Sequence, residues 1–199
     1  MNVMKVLVVY TTNAGSTGEV ADVIGETLAQ NGTHVDVRQI KDVSDVSAYD
    51  AVLVGGPMIL GWHAEAVRFV ETHRRDLSQK PVAYFLTALS LTTSPGTGVD
   101  AVPVYLDPSL AKPPRNGGKL SRTERFTTVA AYLEPALTKA PQVKPVSAGF
   151  FAGKLDYGRL NLFQKLFVRF IIRAEEGDFR DWNAIRAWAD EVHEALLGT

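Results

Sequence analysis

The polar residues with the clearest chemistry lie in one short segment near the amino end of the sequence, Thr11-Thr12-Asn13-Ala14-Gly15-Ser16-Thr17. This segment, which we call the phosphate loop, offers hydroxyls, an amide and a glycine, and it contains no cation. Neutral donors of this kind suit a phosphate monoester held by hydrogen bonds. The alternative is an ordinary helix cap, for which a single serine or threonine is enough. Because the segment has five polar side chains and a glycine, the phosphate interpretation is favoured.

The residues on either side of the phosphate loop predict a strand before it and a helix after it. Residues 4–10 form an apolar run rich in β-branched side chains, which is typical of a buried strand. After the loop, apolar residues recur at helical spacing until Asn31-Gly32. The loop therefore exposes backbone N–H groups at the positive end of a helix dipole. Neither Gly-x-x-x-x-Gly-Lys nor Gly-x-Gly-x-x-Gly is present, so a monophosphate such as flavin mononucleotide (FMN) is favoured over a triphosphate or a dinucleotide.

Later apolar runs predict that the phosphate loop belongs to a parallel sheet covered by helices. Four further strands are expected at residues 34–40, 50–57, 81–89 and 145–153. Helices are expected at residues 63–77, after the capping box Ser121–Glu124 until Pro135 stops or kinks the helix, and from Asp181-Trp182 onward. This alternation predicts one α/β domain over residues 1–199, a three-layer α/β/α sandwich with a five-stranded parallel sheet of order 2-1-3-4-5. A ligand should lie beyond the carboxyl ends of strands one, three and four.

Two segments do not fit this simple alternation. Residues from about 92 to 120 are rich in proline and glycine and predict an insert loop between strands four and five. Arg159–Arg173 predicts a basic, strongly apolar helix, in which leucine and phenylalanine lie among lysine and arginine. Such a helix suits peripheral contact with a membrane surface. Burial against the rest of the protein is the favoured alternative.

The composition excludes several kinds of function. The chain of 199 residues has no cysteine, four histidines and a formal net charge of −1. Disulfides and thiolate metal sites are therefore excluded, no metal site is expected, and nothing favours a nucleic-acid partner. The sequence lacks a recognisable signal peptide and a membrane-spanning run, so we expect a cytoplasmic protein, with the helix at 159–173 as its one candidate for contact with the inner membrane face.

The pattern Thr-x-x-x-Gly-x-Thr at Thr11, Gly15 and Thr17 resembles the phosphate loop of the flavodoxin-like superfamily. Within it, the chain is most similar to the menaquinone-dependent protoporphyrinogen oxidase family. The segment from Glu176-Gly177-Asp178 to Asp181-Trp182 closely resembles an acidic, Asp-Trp-bearing segment of that family. The sequence departs from the family pattern at Ile59-Leu60, where the family carries an arginine and a tyrosine. The resemblance implies a flavodoxin-like fold and FMN as the cofactor.

The resemblance also implies which residues flank the flavin ring. They follow the third and fourth strands, and comprise Gly56, Pro57, Met58, Ile59, Gly61 and Trp62, here called the first ring segment, and Thr87, Ala88, Leu89 and Ser90, the second ring segment. Trp62 either stacks on the ring or fixes the following helix to the sheet. His63 is interpreted as a solvated residue at a helix start, and no catalytic residue is assigned.

Three functions remain open at this point. The favoured one, implied by the resemblance, is an FMN-dependent oxidoreductase like protoporphyrinogen IX dehydrogenase (quinone), in which electrons from a reduced substrate pass through FMN to a quinone. A second is a flavodoxin-type electron carrier whose partner is a redox protein; the nearly neutral charge disfavours it because such carriers are generally acidic. A third is a flavin-free binding module. The oligomeric state is not predicted.

Overall fold

The computed structural model describes residues 3–58, 61–93, 102–155, 158 and 176–198. The described strands are β1 (Lys5–Tyr10), β2 (His34–Gln39), β3 (Ala51–Pro57), β4 (Val82–Ala88), β5 (Leu91–Thr92), β6 (Val104–Leu106), β7 (Ala111–Lys112), β8 (Pro145–Ala152), β9 (Lys154–Leu155) and β10 (Gly177–Asp178). The described helices are α1 (Ser16–Gln30), α2 (Ala64–Thr72), α3 (Arg74–Leu77), α4 (Val129–Lys139) and α5 (Trp182–Leu197).

The central sheet has six parallel strands in the order β2-β1-β3-β4-β8-β6. Its first five strands confirm the predicted order, since β8 is the fifth strand expected from the sequence. The sixth strand, β6, was not predicted and corrects the expectation of a five-stranded sheet. It lies in the insert and pairs with β8 from Val104 opposite Ala148 to Leu106 opposite Phe150. The insert therefore extends the sheet beyond its fifth strand.

The sheet is covered on both faces, as predicted. Alternate residues of β1 point to opposite faces, because side chains alternate along a strand. Leu7 and Val9 belong to the apolar layer under α2 and α4. Val6 and Val8 belong to the layer under α1 and α5. The three-layer α/β/α architecture follows from these two layers.

Two helical regions differ from the sequence prediction. The helix expected at residues 63–77 is divided at His73 into α2 and α3. Pro135 was expected to stop or kink its helix, and the expected stop is wrong because α4 continues through Pro135 to Lys139. Burial of Leu133 and Ala136 on either side of Pro135 continues the helix despite the lost backbone hydrogen bond.

Of the two helix starts predicted in the carboxyl half, the one at Asp181 is confirmed, whereas the one at Ser121 is wrong because α4 begins only at Val129. Ser121 and Glu124 exchange hydrogen bonds as a capping box, with Glu124 N donating to Ser121 Oγ at 3.3 Å and Ser121 N donating to Glu124 Oε2 at 2.8 Å. This box begins a short 3₁₀ turn, while α4 itself is capped by Thr128. Asp181 caps α5 by accepting hydrogen bonds from the backbone of Asn183 and Ala184.

The insert is anchored by two further features. β5 and β7 form a short parallel ribbon that ties the start of the insert to its middle. Asp107 is fully buried, and its carboxylate accepts hydrogen bonds from the backbone of Ser109 at 2.8 Å and of Ala152 at 3.0 Å. Residues 94–101 of the insert and the helix predicted at 159–173 lie outside the described residues.

Candidate functional site

The phosphate loop connects the carboxyl end of β1 to the amino end of α1. Gly15 is the N-cap residue of α1 and has φ 91°, a left-handed conformation that favours glycine. Thr12 Oγ1 accepts a hydrogen bond of 2.9 Å from Gly15 N, so this side chain stabilises the turn before the helix. No side chain caps α1. The alternative to a phosphate site, a serine or threonine that caps the helix, is therefore not what this helix has. The first N–H groups of a helix have no acceptors within the helix itself.

The threonines at the two ends of the phosphate loop are buried and already paired. Thr11 Oγ1 donates to Glu65 Oε2 of α2 at 2.5 Å. Thr17 Oγ1 shares a hydrogen bond of 2.9 Å with Thr87 Oγ1. The hydroxyls of these residues therefore hold the loop against its neighbours. Asn13 is exposed, whereas Thr12, Ala14, Gly15 and Ser16 are half-buried, so the middle of the loop is the part accessible to a ligand.

The described residues of the first ring segment lie at the end of β3 and immediately before α2. Met58 pairs with Trp62, and Met58 N donates to Thr87 O at 2.9 Å. Gly61 has φ 127°, which a side chain would not tolerate without strain. Ile59 lies outside the described residues. The backbone of this segment is thus held beside the end of β4.

Trp62, the last residue of the first ring segment, has its side chain in the apolar core. Its side chain is buried, and its ring centroid is 4.9 Å from that of Tyr84 at an angle of 53°. This packing favours the second of the two alternatives, in which Trp62 fixes α2 to the sheet. The indole Nε1 is buried without a hydrogen-bond partner among the described residues. It lies 3.0 Å from the position that a Cβ on Gly56 would occupy, so the glycine accommodates the indole.

His63 is the N-cap residue of α2, where its Nδ1 accepts a hydrogen bond of 3.3 Å from Glu65 N. This contact agrees with the interpretation of His63 as a helix-start residue.

The second ring segment runs from buried to exposed. Thr87 and Ala88 are buried, Leu89 is half-buried, and Ser90 is exposed. The carbonyl oxygen of Ser90 accepts a hydrogen bond of 3.0 Å from the Tyr132 hydroxyl. The two ring segments are therefore adjacent, joined by the hydrogen bond from Met58 to Thr87.

Arg180 is a charged residue at this site that the sequence reasoning missed. Its side chain is only 2% exposed and forms ion pairs with Glu19 in the first turn of α1 and with Asp178. The hydrogen bonds from Arg180 hold the pKa of the Asp178 carboxyl below its usual range. The signal in the sequence was the segment Asp178-Phe-Arg-Asp181, which places a cation between two acids immediately before a helix.

The donor set of the phosphate loop fits the phosphate of FMN. The amino end of α1 has no side-chain cap, the neighbouring loop side chains are neutral, and the nearby Glu19 carboxylate is paired with Arg180. Backbone N–H groups at such a helix end bind phosphate through hydrogen bonds and the helix dipole. Among the described residues, no group of histidine, aspartate and glutamate side chains is arranged to hold a metal ion.

This combination of fold and loop defines a class of protein that the comparisons identify. A family model described as "Flavodoxin domain" matches residues 7–181, so the chain belongs to the flavodoxin domain family. Membership of this family indicates FMN as the cofactor. An archaeal flavodoxin structure, 14% identical, superimposes with a TM-score of 0.54 over 98% of this chain and 99% of its own, which shows the fold.

Curated relatives carry a more specific name. The chain is 28% identical over 202 residues to protoporphyrinogen IX dehydrogenase (quinone) of Leishmania major, covering 94% of this chain and 74% of the relative. It is 22% identical over 200 residues to the Escherichia coli K12 protein of that name, covering 95% of this chain and 94% of the relative. Together with the family match, these relatives support an FMN flavoprotein oxidoreductase. No helix in the described part of the chain is both long and apolar enough to cross a membrane.

Proposed function

We propose that the protein is an FMN-dependent oxidoreductase of the protoporphyrinogen IX dehydrogenase (quinone) type, which would give it a role in heme biosynthesis. The observation that carries this proposal is the extent of the relatives' match, which includes 95% of this chain and 94% of the Escherichia coli protein. A match of this extent covers nearly the whole of both chains rather than a shared phosphate-binding element alone.

In this proposal, the phosphate loop binds the phosphate of FMN through the backbone N–H groups at the start of α1 and the polar groups of Thr12, Asn13 and Ser16. Gly15, in its left-handed conformation, forms the turn that joins these groups to the helix. The side chains of Thr11 and Thr17 act indirectly, because their hydroxyls form hydrogen bonds with Glu65 and Thr87. Their contribution is to fix the position of the loop.

The two ring segments would flank the flavin ring. Gly56, Pro57, Met58 and Gly61 supply backbone groups on one side, with Leu89 and Ser90 on the other. When bound there, FMN supplies the redox chemistry of the reaction, since it accepts and passes on electrons. The protein's part is to bind and orient the cofactor, and the buried pair Trp62 and Tyr84 excludes water from beneath the first ring segment.

The insert is the part of the chain proposed to meet the substrate. It begins directly after β4. The pairing of β5 with β7 brings Ala111 and Lys112, in the middle of the insert, back beside Leu91 and Thr92 at its start. Lys112 and Arg115 of this insert are exposed. Their cationic groups suit the carboxylates that a porphyrinogen carries. A quinone is proposed as the electron acceptor on the strength of the relatives' name.

The test is an anaerobic redox assay on the purified protein loaded with FMN. Protoporphyrinogen IX should bleach the flavin absorbance, and a water-soluble menaquinone analogue should restore it. The double variant Lys112→Ala/Arg115→Ala should raise the substrate concentration needed for half-maximal bleaching. Its matched control is Arg74→Ala/Arg75→Ala, which removes two exposed arginines of α3 that lie outside the insert. An FMN-loaded protein that protoporphyrinogen IX does not reduce, but that a flavoprotein reductase does, would instead be an electron carrier.

A further inference from the structure

Arg180 lies between β10 and α5 and joins three parts of the chain. Its Nη1 donates to Glu19 Oε2 at 2.7 Å and to Ser16 O at 3.4 Å. Its Nε donates to Asp178 Oδ1 at 2.7 Å, and its Nη2 donates to the other oxygen of the same carboxylate. The guanidinium also stacks on Trp182, with 4.3 Å between its Cζ and the ring centroid. Each nitrogen of the guanidinium thus has a hydrogen-bond partner.

Two of these partners belong to the first turn of α1. Ser16 is the first residue of that helix, and Glu19 is the acidic residue of its first turn. One helical turn rises about 5.4 Å, so the guanidinium lies within about one turn of the N–H groups of the phosphate loop. This arrangement connects the carboxyl-terminal part of the chain to the amino end of α1 across 161 residues of sequence.

The electrostatic consequence concerns Glu19. A carboxylate in the first turn is favourable for the helix itself, but it repels a phosphate dianion that approaches the same helix end. The Glu19 side chain is 44% exposed, so without a partner it could reach toward the loop. The ion pair with Arg180 holds the carboxylate on the flank of α1 and offsets its charge. Asp178 holds the guanidinium in place from the other side.

We propose that Arg180 is a positioning residue that makes the site prefer the phosphorylated flavin, FMN, over riboflavin. It restrains Glu19 and offsets the negative charge of that carboxylate beside the phosphate loop. This inference rests on the proposed role of that loop in binding phosphate. It assigns a function to a residue whose ion pairs would otherwise be interpreted as a structural tie between α1 and α5.

The test compares the dissociation constants of FMN and riboflavin, measured by flavin fluorescence quenching on the whole chain freed of flavin. Arg180→Met should weaken FMN binding roughly tenfold or more, because the site loses one positive charge and leaves two carboxylates, Glu19 and Asp178, without their partner. Riboflavin binding should change less than about twofold, since it lacks the phosphate. Glu19→Gln should tighten FMN binding roughly threefold, and the double variant should bind FMN much better than Arg180→Met alone. Arg75→Met, an exposed arginine of α3, is the matched control and should leave both constants unchanged.

The outcomes separate this inference from the proposed function. Equal losses of FMN and riboflavin affinity in Arg180→Met, with no recovery in the double variant, would show a structural tie only and overturn the inference. If Arg180→Met does not fold, Glu19→Gln decides the matter, because weaker FMN binding in that variant contradicts the repulsion argument. If the wild-type protein binds FMN no more tightly than riboflavin, the proposed role of the phosphate loop in binding phosphate is itself contradicted.

Discussion

Thr17 and Thr87 share a buried hydrogen bond of 2.9 Å between their hydroxyls, although 70 residues separate them in the sequence. Thr17 is the second residue of α1 and the last residue of the phosphate loop, and Thr87 lies near the end of β4 in the second ring segment. The bond therefore fixes the distance between the part of the site proposed for the phosphate and the part proposed for the ring. Both residues are predicted to contact the cofactor, which stays a prediction, and their side chains contact each other.

Replacing both of these threonines should destabilise the protein by less than the sum of the two single replacements. Thr17→Val leaves the Thr87 hydroxyl buried without its partner, which costs about 1–3 kcal/mol. Thr87→Val does the same from the other side. In the double variant no hydroxyl remains to be satisfied, so the loss should be smaller than the sum of the single losses. The measurement is urea unfolding of all four proteins, and strictly additive losses would contradict a shared bond.

Gly55 is a second position at which a small change should have a large effect. A Cβ at this residue would overlap the ring of Phe85, which is fully buried in the layer under α1 and α5. Because a packed core cannot accommodate the extra atom, Gly55→Ala should destabilise the protein by about 1–3 kcal/mol.

A matched pair of variants checks the reason for this effect. Phe85→Leu creates space at the point of overlap, so Gly55→Ala should cost less in that background than in the wild type. The free energy of unfolding of the four proteins, obtained from urea titrations, gives the comparison. The same cost in both backgrounds would exclude the ring of Phe85 as the cause.

Asp107 should be needed to hold β6 against β8. Its carboxylate is fully buried and accepts from Ser109 N, Ser109 Oγ and Ala152 N. In Asp107→Asn an amide N–H₂ group faces one of these donors, and that donor loses its acceptor. This loss should lower the free energy of unfolding by about 1–3 kcal/mol. Ser109→Ala removes only one hydroxyl and should cost about 0.5–1.5 kcal/mol.

Hydrogen exchange would locate the effect of Asp107→Asn. The amide of Ala148, which donates to Pro103 O, should exchange faster because β6 is loosened at the sheet edge. Protection in β1 should change far less. Uniformly faster exchange throughout the sheet would contradict a local role for Asp107.

Glu124 should make the stability of the insert depend on acid pH. Hydrogen bonds from Ser121 and the backbone of Arg115 lower the pKa of Glu124 from 4.5 to about 2. Since the folded pKa is the lower one, the ionised carboxylate stabilises the fold above pH 4.5 and this contribution disappears as the pH falls toward about 2. Wild-type Tm should therefore fall more steeply than the Tm of Glu124→Gln between pH 5 and pH 2.5.

The pH comparison has an internal control. The carboxyls of Asp36, Asp45 and Asp178 also have lowered pKa values, but they are present in both proteins and cancel in the difference. A difference in Tm between the two proteins that is constant across the acid range would contradict the assignment to Glu124.

The sequence was sufficient for the central elements because their signals are local. The strands β1, β3 and β4 are continuous apolar runs, and the N-cap of the last helix is Asp181, directly before Trp182. The strand order followed from the alternation of strands and helices. The α1 start was also predictable, because a glycine-containing polar turn separates the strand from the helix.

The features that escaped prediction depend on distant partners. The strand β6 has only three residues, and its pairing is with β8, about 40 positions later in the chain. Arg180 finds Glu19 across 161 residues, so no spacing rule connects them. The orientations of Thr11 and Thr17 likewise depend on Glu65 and Thr87, which the sequence could not place opposite them.

The assignment of the phosphate loop can be tested residue by residue with amide NMR spectra of the isotope-labelled protein during titration with FMN and, separately, riboflavin. The account predicts that the N–H resonances of Gly15, Ser16 and Thr17 shift strongly with FMN and little with riboflavin, whereas those of Gly56 and Gly61 shift with both ligands. Loop resonances that do not move with FMN, or that move equally with riboflavin, would contradict it.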